Sequence, residues 1–85
     1  MKQQVKSAIH LKDVQLFLDE CQRKRERVWI TAMTSKGEIH QYDGWLVQSS
    51  HWRAGTHDFL NPVSRQIRKV RDVLIFSING HPVYI

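Results

Sequence analysis

Apolar positions in the first third of the chain recur at intervals of three and four: Leu11, Val14, Leu18 and Cys21, with Phe17 beside them. That spacing predicts a helix over about 11–25 with one apolar stripe. Asp13, Gln15, Asp19, Gln22 and Arg23 take the other faces, acids early and "RKR" late, the order a helix dipole favours. Leu16 falls off the stripe, as a second contact or as exposed surface. From residue 27 the period drops to two. In "RVWITAMTS" (27–35), Val28, Ile30 and Ala32 alternate with Trp29, Thr31 and Met33, and β-branched and aromatic residues dominate. "SKGE" is a turn with Gly37 available for positive φ. "IHQYDGWLVQ" (39–48) is the returning strand, with Gly44 marking a bulge or sharp bend.

"SSHWRAGTH" (49–57) has loop composition, and "DFL" (58–60) is a short strand running into "NPVS". At the end, "VLIFSI" (73–78) and "HPVYI" (81–85) flank Asn79-Gly80, the pair a type I′ hairpin turn requires.

The stretch "SRQIRKVRDV" (64–73) admits two readings with different consequences. As a helix, Asn61 would be its N-cap and Pro62 its first residue, and Val63, Ile67, Val70 and Leu74 would share a face. A basic recognition helix for duplex DNA would follow. As a strand, "RQIRKV" pairs with "THDFL" across "NPVS", and "RD" at 71–72 connects it to the next strand. Ile67, Val70 and Val73 are β-branched, and no helix stop is written before "VLIFSI". The balance favours the strand. Its mixed faces fit a sheet edge or a barrel rim, where charge blocks unwanted pairing.

Eighty-five residues allow a single domain spanning 1–85. At 41% hydrophobic and 25% charged, with four Gly and two Pro, the composition is that of a folded domain. The net charge of +5 permits an anionic partner. The excess lies in "RKRER" (23–27) and in Arg65, Arg68, Lys69 and Arg71. Cys21 is the single cysteine, so an internal disulfide and a Cys-based zinc site are both excluded. Polar residues interrupt each apolar run after Lys2 and Lys6 before a leader can form, and no segment has the length of a membrane span. A cytoplasmic setting with no membrane partner is the expectation.

One helix followed by five or six short, strongly bent strands suggests a small α+β domain built as an antiparallel barrel over 27–85. The order of elements across residues 11–85 resembles the Sm-like and SH3-like barrels, including the small bacterial WYL-type domains. Gly37 before the second strand, Gly44 bending it, Asp58 and Asn61 after it, and "IRKV" before a short connection carry the resemblance. In Sm proteins an Asp and an Asn flank a loop that binds RNA bases. Asp58 and Asn61 stand at a different spacing, and the resemblance is one of fold.

No P-loop or dinucleotide fingerprint occurs, and no cofactor is expected. His40, His51, His57 and His81 lack metal-ligand spacing. Ser49, Ser50, His51, His57 and Asp58 form a triad only on paper, without a nucleophile elbow, so no catalytic residue is assigned and no enzyme is expected. Phe17, Phe59, Phe76 and Cys21 read as core, and Trp29 and Trp45 as packing under the helix. Trp52, beside His51 and Arg53 in a polar loop, either caps the domain or stacks on bases.

The function expected is a non-enzymatic binding module for RNA or single-stranded nucleic acid. Arg65, Arg68, Lys69 and Arg71 would meet phosphates, and Trp52 with Arg53 would supply stacking. A protein-interaction module is the alternative, and self-association through an apolar strand edge is a further partner class.

Overall fold

A computed structural model describes residues 7–85; Lys2 and Lys6 lie outside that range. The chain runs through strand β1 (Ile9–His10), helix α1 (Leu11–Lys24), and strands β2 (Arg27–Met33), β3 (Ile39–His51), β4 (Thr56–Leu60) and β5 (Ile67–Arg71). A 3-10 turn (Asp72–Leu74), β6 (Ile75–Ile78) and β7 (His81–Tyr84) complete it.

The helix forms where its stripe predicts. The His10 ring accepts the Lys12 N–H at its start, and Arg25 closes it in the left-handed conformation, donating to Cys21 and Gln22 carbonyls. Val14, Leu18 and Cys21 are buried and Phe17 packs beside them, while Leu16 is exposed. Glu20 and Lys24 form an ion pair at 2.9 Å on the solvent face.

The strands make one open, mostly antiparallel sheet in the order β1-β7-β6-β2-β3-β4-β5. Seven strands stand where five or six were expected; the addition is β1, which pairs parallel to β7. The ladder ends at β1 and β5 rather than closing on itself. Bulges interrupt the ladder, the device by which a sheet is bent. Trp45 faces Val28 and Asp43 faces Trp29, so Gly44 is the extra residue between them, at φ +71°. A second register shift falls between Val47 and Ser49 on β3. Val28, Ile30, Tyr42, Val47, Phe59, Ile75 and Ile78 fill the concave side under α1.

Residues 62–72 are not a helix. Asn61 Oδ1 accepts from the N–H of Val63 and Ser64, turning the chain, and β5 returns beside β4 from Leu60–Ile67 to Thr56–Arg71. The expected Asn79-Gly80 hairpin is present, with φ of 49° and 83° and Ser77 facing Pro82.

Four local expectations need correction. Ser49, Ser50 and His51 extend β3, and Thr56 and His57 belong to β4, leaving a loop of only Trp52–Gly55. The last apolar run opens with the 3-10 turn, so β6 begins at Ile75. Phe76 is 44% exposed because it is the extra residue at the β2–β6 register shift, where Ser77 faces Thr31 and Ile75 faces Ala32. Trp29 is half exposed on the convex side, its ring against Gly44, while Trp45 packs on the core edge-on to Tyr42.

Candidate nucleic-acid interface

The register of β4 and β5 decides which basic side chains meet. Thr56 faces Arg71, Asp58 faces Lys69, and Phe59 faces Arg68. Val70 is buried opposite His57, whereas Arg68, Lys69 and Arg71 are exposed along the open edge of the sheet. All three line a cleft of about 630 Å³ between β5 and the β2–β3 turn, with Met33, Tyr42 and Thr56 among its other walls. No acidic side chain lines it. Thr56 is 7% exposed, and its hydroxyl has no hydrogen-bond partner among the described residues. A buried hydroxyl in this state is one that a single buried water can satisfy. Arg68, Lys69 and Arg71 lining one cleft with no acid make a site suited to an anion.

The other expected residues divide. Arg65 sits in the β4–β5 turn at φ 65°, beyond the Leu60–Ile67 end of the ladder and outside the cleft. Arg53 is exposed in the β3–β4 turn, whose Ala54 and Gly55 border the cleft. Trp52 is 79% exposed and turns to the opposite side of that turn, against α1. It does not cap the core.

Asp58 lies beside β5 in a small polar cluster. Ser49 Oγ donates to Asp58 Oδ2 at 2.7 Å, and His51 Nε2 lies 3.0 Å from the same oxygen. Burial acts most strongly on the Asp58 carboxyl and pushes it up. Hydrogen bonds from His51 and Ser49, with the charges of His51 and Lys69, outweigh burial and hold it below the ordinary carboxylate value. A catalytic triad needs the imidazole between serine and carboxylate; here the serine donates to the carboxylate directly. Ser49 Oγ also lies 3.3 Å from His51 Nε2, so the three side chains form one hydrogen-bonded cluster around the Asp58 carboxylate.

A second polar cluster escaped the sequence reading. His57, 1% exposed, places Nδ1 at 2.6 Å from Asp72 Oδ1 and Nε2 at 3.0 Å from Asp19 Oδ1. Gln15 donates to Asp72 Oδ2 at 3.0 Å. Burial is the strongest single influence on His57 and acts downward. Hydrogen bonds to Asp72 and Asp19, and then the charges of both, reverse it, so the imidazole is raised above its ordinary value. These residues come from β4, the 3-10 turn and α1, separated by 15 and 38 positions, and no local spacing announces them. The one clue was an aspartate placed in a tight connection after a basic strand.

Among the described residues, no group of three or more His, Cys, Asp or Glu side chains is placed to hold a metal ion. No helix among them is long and apolar enough to cross a membrane. Compared with known proteins, the chain matches no family model, no curated protein and no solved structure.

Proposed function

We propose that this protein is a non-catalytic module that binds single-stranded nucleic acid, RNA foremost, in the cleft beside β5. The observation that carries the reading is the gathering of Arg68, Lys69 and Arg71 along one cleft that no acid lines. Arginine forks and a lysine point charge are suited to phosphate oxygens. With β5 a strand, the reading that required a basic helix in a DNA groove loses its element. The same proposal takes the sheet as an open relative of the small Sm- and SH3-like barrels, a fold that serves nucleic-acid and protein partners alike.

The open edge of β5 favours one alternative, an extended peptide added as an eighth strand. Salt separates the two. Phosphate contacts release counterions, so RNA affinity falls steeply as salt rises, whereas backbone pairing is nearly indifferent to it. Anisotropy of a labelled single-stranded RNA at about 50 and 200 mM salt is expected to show that fall. Replacing both Lys69 and Arg71 by Ser should flatten the slope by about one unit for each phosphate no longer neutralised. An RNA that does not bind at the lower salt would sink the proposal.

A further inference from the structure

Across the Trp52–Gly55 turn from the cationic cleft lies a second cavity, of about 430 Å³. Lys12, Leu16 and Asp19 of α1 form one wall, Trp52 forms another, and His57 and Asp72 lie at its base. Spacings of four and three put the helix residues on one face. Leu16 is 63% exposed and Trp52 79%, two large apolar side chains left open to solvent over the same cavity. Asp19 is half exposed; its Oδ1 is engaged by His57 Nε2, which fixes the carboxylate at the cavity. Lys12 lines the cavity without an ion pair among the described residues.

We propose that this notch takes a guanine base of the bound RNA strand. The inference rests on the RNA reading and extends it from phosphates to a base. Trp52 and Leu16 supply faces against which a ring stacks. Guanine alone among the four bases has two neighbouring edge donors, N1–H and the N2 amino group, next to the acceptor O6. The Asp19 carboxylate accepts from the donors, and the Lys12 ammonium donates to O6. In adenine and cytosine the amino group is flanked by a ring-nitrogen acceptor that would face the carboxylate; in uracil two carbonyls flank N3–H. A strand passing over Arg53 would reach from the β5 cleft to the notch.

The test uses the full chain and uridine decamers carrying one central guanosine, adenosine or cytidine, with all-uridine as reference, read by anisotropy at low salt. The guanosine decamer should bind on the order of tenfold tighter than the others. Asp19→Asn keeps an oxygen for His57 but turns an amide donor toward guanine, and should abolish the preference. Lys12→Ala, on exposed helix surface, should reduce the preference with an unchanged thermal midpoint. Equal affinities, a preference for another base, or a guanosine preference that survives Asp19→Asn would each overturn this inference while leaving the RNA reading intact. Failure of every decamer to bind would overturn both.

Discussion

At Gly44 the backbone φ is +71°, and an added Cβ would sit 3.7 Å from the Trp29 ring, an ordinary contact. Space is therefore not the obstacle to a side chain there; the left-handed backbone is. Gly44→Ala should cost about 1–2 kcal/mol, read from urea denaturation, and an unchanged midpoint would show that the bulge does not need glycine. Leu18 presents the opposite case: it is fully buried between α1 and the sheet. Leu18→Ala leaves a cavity and should cost about 2–5 kcal/mol. Cys21 is buried beside it, and burial pushes its thiol up, with Glu26 and Glu20 adding in the same direction. Alkylation of Cys21 should accordingly be slow in the native protein and rapid in denaturant, because the thiolate is the reacting form.

At the scale of elements, three segments meet on His57. Only an imidazolium carries an N–H on both ring nitrogens, so the bonds to Asp72 and Asp19 are both satisfied only when His57 is protonated. Loss of that proton sets a lone pair against one carboxylate and loosens the tie between α1, β4 and the 3-10 turn. Because the folded-state value is raised, this contribution is complete below the unfolded value of about 6.5. It disappears as pH rises through the higher folded value. Denaturation midpoints should therefore drop across that window in the native sequence and stay flatter in His57→Gln. An NMR titration of His57 with its midpoint at or below the ordinary histidine value would contradict the account.

For the molecule as a whole, the disposition of edges governs association. The apolar β7 is paired on its outer side by β1 at Val83 and Tyr84, and β1 leads directly into α1. β5 remains open, but two copies paired there would bring Arg68, Lys69 and Arg71 against their counterparts, and facing like charges are destabilising. A monomer at low ionic strength is the expected outcome of light scattering on the free protein. A stable dimer under those conditions would show that the basic edge is a self-association surface instead.

What the sequence determined by itself were the features written in near neighbours. The stripe from Leu11 to Cys21 specified α1, the alternation of Val28, Ile30 and Ala32 specified the buried face of β2, and Asn79-Gly80 specified the last turn. Each depends on residues within a turn or two of one another, so periodicity suffices. Gly44 was legible as a bend for the same reason. The grouping of Arg68, Lys69 and Arg71 was legible too, but not their separation from Arg65 and Trp52, which follows from where β5 starts and which way a four-residue loop turns. The exposure of Phe76 came from a register shift that alternation alone does not encode, whereas Trp29 stands on the face opposite Val28 and Ile30, where the alternation of β2 itself puts it. His57, Asp72 and Asp19 were beyond reach for a further reason: a buried charged cluster is made by packing a helix, a strand and a turn together, and chain separation hides it until they meet.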